Sequence, residues 1–321
     1  LPPLRAALSR WYKRRFDVDI DPEKEVTACI GSKEGIVHLF MGILNPGDVA
    51  LVPNPSYPAH RSRVVLSGAN LLSFPMNSTE GFFPDLEKAF AKAWPAPKVV
   101  LLCYPHNPTS AVATPDFFRE VVAFARKRGI ILVHDFAYCD IGFDGYSPPS
   151  ILQVPGAKDV AVEFTSLTKS FNMAGWRMGF AAGQRRLIEA LEKIKSYVDY
   201  GTFGPIQVAS IVALDRAEEL SAPIAATYQA RRDVLVEGLN KMGLAIESPK
   251  ATLYVWLKLP PPWDQKGSFD FSMALLTEGG VVVSPGSAFG DGGEGYVRIA
   301  LVENVQRIRQ ALKGFKKVLG V

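Results

Sequence analysis

The chain has 321 residues, 48% of them hydrophobic, with 36 Lys and Arg against 32 Asp and Glu for a net charge of +4. That is enough apolar material for one large domain with a smaller satellite, and the charge is too small and too evenly spread for a nucleic-acid footprint. Cys29, Cys103 and Cys139 form no C-x-x-C pair and sit in or beside apolar runs, a usage that suits reduced structural thiols and the cytoplasm, and no apolar run reaches membrane-spanning length.

The chain opens at Leu1 rather than Met, shows no signal-peptide succession, and enters at once a helical pattern, Leu4, Leu8, Trp11. We read it as a chain with residues upstream of this start, 1–24 being the remainder of an N-terminal segment. Within a large domain placed at 25–214, short apolar or β-branched runs alternate with helical patterns from Glu25 to about Phe180, the signature of βαβ units and a mostly parallel sheet covered on both faces. The strands are expected at Val26–Ile30, Val49–Val52, Asn70–Phe74, Val99–Cys103, Ile130–His134, Val160–Phe164 and Met178–Ala182. Helices are expected at Ile36–Leu44, Pro84–Lys92 and Pro115–Lys127, the last two with Pro near the first turn, where it is tolerated. Further amphipathic helices run to about Ser196, over Pro205–Leu214 and from Glu218 to Met242. The remainder, 215–321, reads as a small α+β domain. Its strands are placed at Leu253–Leu259, Val281–Ser284 and Val297–Leu301, its helices at Phe269–Thr277 and Val305–Leu319.

Sheets of this kind bind ligands beyond the carboxyl ends of their strands, and four such places carry polar groups. Gly31-Ser32-Lys33-Glu34-Gly35 joins a strand to a helix, so free N–H groups, a hydroxyl and the positive helix end meet as a phosphate requires; the plainer reading is a turn with Ser32 as N-cap. In Tyr104-Pro105-His106-Asn107-Pro108-Thr109, Pro108 biases Asn107 away from helical geometry and can aim its amide into a site, though Asn-Pro turns are common. Asp135 ends a central strand, with Tyr138 three residues on; a buried carboxylate there needs a cation, unless it only caps the next turn. His134 points to the opposite face of that strand and reads as core or support. Finally Thr165-Ser166-Leu167-Thr168-Lys169-Ser170-Phe171-Asn172, followed by Gly175-Trp176-Arg177-Met178-Gly179, offers an amine, hydroxyls and a bidentate phosphate clamp together.

These motifs, in this order, resemble the fold-type I pyridoxal phosphate aminotransferases of class I/II across nearly the whole chain. Gly-Ser-Lys-Glu-Gly and Tyr254-Val255-Trp256 resemble the branch with LL-diaminopimelate aminotransferase and alanine-synthesising transaminases. The resemblance implies a three-layer α/β fold and the cofactor pyridoxal 5'-phosphate, held as a Schiff base on Lys169. It further implies that Asp135 pairs with the pyridine nitrogen, that Asn107 and Tyr138 donate to the ring's phenolate oxygen and that Tyr57 stacks on the ring. Ser32, Lys33, Ser166 and Arg177 would hold the phosphate, and Arg298, helped by Asn107, the substrate α-carboxylate. Burial and nearby positive charge are expected to lower the Lys169 pKa so that its neutral amine can act as a base. The family also implies a homodimer with shared sites, amino acid and 2-oxo acid substrates, and an upstream segment that closes over the substrate. Ser110 stands where the family usually has Gly, and Thr168 where it usually has Ser.

The same residues would serve a carbon–sulfur lyase, which forms the same carbanion, or a regulatory module that has kept the fold and lost turnover. Gly290-x-Gly292-x-x-Gly295 matches a dinucleotide fingerprint, but it precedes a strand instead of a helix and reads as a flexible turn. The histidines at 38, 60, 106 and 134 make no metal-ligand spacing with the cysteines, and no G-x-S-x-G elbow occurs. We expect no metal.

Overall fold

The computed structural model describes residues 1–77 and 83–321. Its first part runs α1 (Pro2–Phe16), β1 (Val26–Cys29), α2 (Ser32–Ile43), β2 (Val49–Asn54), α3 (Pro58–Leu66), β3 (Asn70–Asn77), β4 (Phe83–Pro84), α4 (Leu86–Ala91), β5 (Val99–Cys103), α5 (Pro115–Arg128), β6 (Ile131–Asp135), β7 (Ala161–Ser166), α6 (Leu167–Ser170) and β8 (Gly179–Gly183). The second runs α7 (Arg185–Val198), α8 (Gly204–Asp215), α9 (Ala217–Asn240), β9 (Tyr254–Lys258), α10 (Trp263–Lys266), α11 (Ser268–Thr277), β10 (Ser284–Pro285), β11 (Tyr296–Ala300) and α12 (Val305–Leu319).

The large sheet has the order β1-β8-β7-β6-β5-β2-β3-β4. The run β7-β6-β5-β2-β3 is parallel, whereas β8 is antiparallel to both of its neighbours and β4 is antiparallel to β3. Alternate residues of one strand feed opposite layers, as the two-residue period of a strand demands. On β5, Val100 and Leu102 join the core beneath α1 and α5, while Val99 and Leu101 join the core beneath α2 and α7. Both faces are thereby sealed, which explains why these strands read as continuous apolar runs.

Because β8 runs against its neighbours, its beginning lies at the same sheet edge as the end of β7, with Ser166 opposite Gly179. The chain before β8 and the chain after β7 therefore converge. That edge also carries the ends of β2, β5 and β6.

A second core, with Leu235, Leu239, Val255, Phe271, Val297 and Phe315, lies between the sheet β10-β11-β9 and helices α9, α11 and α12. Helix α9 begins in the first core at Ala217 and enters the second at Leu235. Several expected bounds differ, and the helix placed at Ile36–Leu44 begins at Ser32. The strand placed at Val281–Ser284 pairs only over Ser284–Pro285, because the Val281 N–H is taken by Leu275 O and its side chain is buried in the second core. The helix placed at Pro84–Lys92 starts at Leu86, since Pro84 pairs in β4 and the Asp85 side chain accepts from Lys88 N as N-cap. Among the described residues no helix is long and apolar enough to cross a membrane.

Candidate active site

Nine residues singled out from the sequence, Ser32, Lys33, Tyr57, Asn107, Asp135, Tyr138, Ser166, Lys169 and Arg177, line one cavity of about 480 Å³ at that sheet edge. The tenth, Arg298 on β11, reaches it from the small sheet, with Nη1 donating to Asn107 Oδ1 at 2.8 Å. Its guanidinium lies 4.2 Å from the ring centroid of Tyr254, which lines the cavity, and 4.6 Å from that of Phe289. Two aromatic faces hold it in place, and among the described residues its Nε has no acceptor.

Helix α2 starts at Ser32, so the N–H groups of its first turn have no partner within the helix. Gly31 before it has φ +79°, and a Cβ there would collide with Arg177 Nη2. A Cβ on Gly179 would lie 2.8 Å from Ser32 N. Both glycines leave room for a compact group among helix N–H groups, the Ser166 hydroxyl and the Arg177 guanidinium, which suits a phosphate. Behind this cradle, Glu34 accepts from Ile30 N at 2.7 Å. The donor atoms of Glu34, His38 and Asp199 lie within 4.8 Å of one another. Lys195 Nζ reaches Glu34 at 2.8 Å and Asp199 at 3.0 Å, so an internal cation already balances that cluster.

The floor of the cavity is Asp135, 5% exposed at the end of β6. Its Oδ2 accepts from His60 Nε2 at 2.9 Å and lies 3.5 Å from Arg63 Nη1, while Oδ1 is buried without a partner among the described residues. Burial alone would raise this carboxyl, but His60, Arg63 and His134 outweigh it and hold it below the usual carboxylate range. An ionised oxygen with an open lone pair fits a protonated heterocyclic nitrogen. His134 donates from Nδ1 to the buried Glu163 at 2.9 Å on the far face, the supporting place expected for it.

Lys169 is half-buried, and its amine is lowered from the ordinary lysine value first by burial and then by Arg298, Lys33 and Arg177. Tyr138 is raised well above the ordinary phenol value, first by burial and then by Tyr254, so it stays a protonated donor. Asn107 Nδ2 lies 3.4 Å from its hydroxyl. Sequence motifs missed His60, Arg63 and Tyr254. The signal for the first two was the i, i+3 spacing after Tyr57-Pro58, which puts both on one face of α3.

The Gly290–Gly295 turn is no dinucleotide site and is not free either. Gly292 N donates to Asn54 Oδ1 at 3.0 Å, and a Cβ on Gly292 would lie 2.7 Å from Asn54 O. The glycines let this loop lie against the end of β2.

The family model for aminotransferase class I and II matches residues 1–315. The chain belongs to the class I and II aminotransferases. This aminotransferase is 52% identical over 316 residues to the glutamate-pyruvate aminotransferase AlaC of Escherichia coli strain K12, covering 98% of this chain and 77% of that one. It is 44% identical over 316 residues to an LL-diaminopimelate aminotransferase of Moorella thermoacetica, covering 98% and 80%. A substrate-bound structure of BacF from Bacillus subtilis superposes with a TM-score of 0.95 at 39% identity, covering 99% of this chain and 80% of that one. The aminotransferase has fold type I, depends on pyridoxal phosphate and moves an amino group from an amino acid to a 2-oxo acid. Nothing in these relatives favours the carbon–sulfur lyase.

Proposed function

We propose that Lys169 carries the cofactor aldehyde and moves the substrate proton, in a site where Asp135 holds the ring nitrogen and Arg298 the substrate carboxylate. The single observation that carries this is the orphaned Asp135 Oδ1, sealed from water in the same cavity as a half-buried lysine whose amine is lowered by burial. Bound pyridoxal phosphate supplies the electron sink that acidifies the Cα–H of an amino acid. The protein does the rest. Ser32, Lys33, Ser166 and Arg177 anchor the phosphate, Tyr57 covers a ring face, and Asn107 and Tyr138 donate to the ring oxygen. Arg298, packed against the rings of Tyr254 and Phe289, presents its guanidinium to the α-carboxylate. The neutral Nζ of Lys169 then takes the proton from Cα and returns one during the amino exchange. Borohydride reduction of the cofactor-loaded protein should leave its label on the peptide holding Lys169; a label elsewhere would end this reading.

For the substrate, we infer exchange between glutamate and pyruvate, supported by 52% identity to AlaC against 44% to the LL-diaminopimelate enzyme. Adding single amino acids and following the cofactor absorbance tests it. Response to alanine and glutamate supports the inference, and response to LL-diaminopimelate alone sinks it.

We also infer a homodimer. Tyr197, Val198, Tyr200, Phe203, Val208 and Val212 are all more than half exposed along the end of α7 and through α8, an apolar stretch that a second copy would cover. Sedimentation that gives a monomer at micromolar concentration would rule this out. The second core supports a division into 25–214 and 215–321, and three buried free thiols support a reducing, cytoplasmic setting.

A further inference from the structure

Arg63 is only 2% exposed, lines the same cavity as Lys169, and has Asp135 as the carboxylate its guanidinium approaches, at 3.5 Å. Among the described residues neither Nη1 nor Nη2 has a hydrogen-bond acceptor. A buried guanidinium is costly unless an anion compensates it. Here the compensating anion is the carboxylate that, on the reading above, must also serve the cofactor's ring nitrogen. Its Oδ2 is already engaged by His60 Nε2 and approached by Arg63, which leaves Oδ1 for the ring.

Among the described residues, the other titratable groups near this carboxylate are Cys103 at the end of β5, His134 on β6 and Tyr138 beyond it, and the charged side chains Lys33, Lys169 and Arg177 line the same cavity. Burial raises the Cys103 thiol and the Tyr138 phenol, so both stay neutral, and burial lowers His60, so its imidazole is neutral at pH 7. His134 faces its own carboxylate, Glu163. Among the described residues Arg63 is therefore the permanent cation within ion-pair distance of Asp135.

We propose that Arg63 is a positioning residue that loosens the proton on the cofactor's ring nitrogen by sharing the Asp135 carboxylate. With the cofactor bound, the one negative charge of Asp135 would have to balance both the Arg63 guanidinium and the proton on the ring nitrogen. Their repulsion lowers the nitrogen's proton affinity by about one to two pH units relative to Asp135 acting alone. A residue that touches neither substrate nor the reacting carbon thereby sets how strongly the ring draws electrons. This inference rests on the cofactor-holding roles proposed for Lys169 and Asp135.

The test uses holoenzyme loaded with pyridoxal phosphate carrying nitrogen-15 in the ring. The nitrogen resonance is followed from about pH 6 to pH 10 in the wild type and in Arg63→Lys, Arg63→Met and Arg63→Gln. The neutral variants should raise the titration midpoint by about one to two pH units, and Arg63→Lys should follow the wild type. Arg63→Gln keeps a polar side chain in the pocket and decides the matter should Arg63→Met fold poorly. A midpoint unchanged in the neutral variants, or a wild-type nitrogen that keeps its proton throughout the range, overturns the role of Arg63. Loss of the borohydride label from wild-type Lys169 would instead overturn the cofactor site, and this inference with it.

Discussion

At the end of β6 charge is managed by side chains sealed from water, whereas at the start of α2 it is managed by helix N–H groups, a hydroxyl and cations open to solvent. Asp135, His60 and Arg63 are 5%, 0% and 2% exposed, while Lys33 and Arg177 are exposed. In the floor each group is compensated by one or two neighbours in a weakly screening interior, so removing one leaves the others bare. In the cradle several donors would share one anion, and solvent and salt would screen what is lost. On the proposed reading, the aminotransferase would hold one end of its cofactor with a few interdependent contacts and the other with many graded ones.

Lys169 stands between the two regions, and Lys169→Ala should have the largest effect, cutting amino transfer by about 10⁴-fold. A borohydride experiment on that variant should leave no label on the chain; residual label would move the catalytic amine elsewhere. On the floor, Asp135→Ala should lower kcat by about 10²- to 10³-fold and destabilise the protein by about 3–5 kcal/mol, since it strands Arg63. Thermal unfolding without cofactor reads the second part, and an unchanged midpoint would show that the floor is less interdependent than described.

In the cradle, Arg177→Gln should weaken pyridoxal phosphate binding by about 10- to 100-fold while leaving phosphate-free pyridoxal almost untouched. Equal losses for both ligands would remove Arg177 from the phosphate. The smallest effect is a pH shift. Capture of added cofactor requires the neutral Lys169 amine, so its rate should rise with pH through the lysine's lowered pKa. Arg298 is one of the charges that lower that pKa, so Arg298→Gln should move the profile to higher pH, and stopped-flow absorbance would detect a shift in the opposite direction.

Much of this was legible before any coordinates. Strand residues such as Val99–Cys103 announce themselves by length and β-branching, and Asp135, Lys169 and Arg177 by their places at or next to strand ends. His60 and Arg63 lie within a helix, where their i, i+3 spacing shows that they share a face but not what that face meets. They reach Asp135 because β5 separates β2 from β6, so that α3, which follows β2, faces the carboxylate. The misplaced strand at Val281–Ser284 has a similar cause. Its apolar run matches a strand locally, but Val281 is drawn to the end of α11 and into the second core.

Local chemistry was therefore determined by residue order alone: which segments extend, which coil, and which polar side chains stand where a strand stops. Only the tertiary structure decided which of those ends meet, because strand order and the reversed direction of β8 follow from burying both sheet faces at once. That non-local condition brought Arg298 from the far end of the chain to Asn107 and enclosed Arg63 beside a carboxylate 72 residues away.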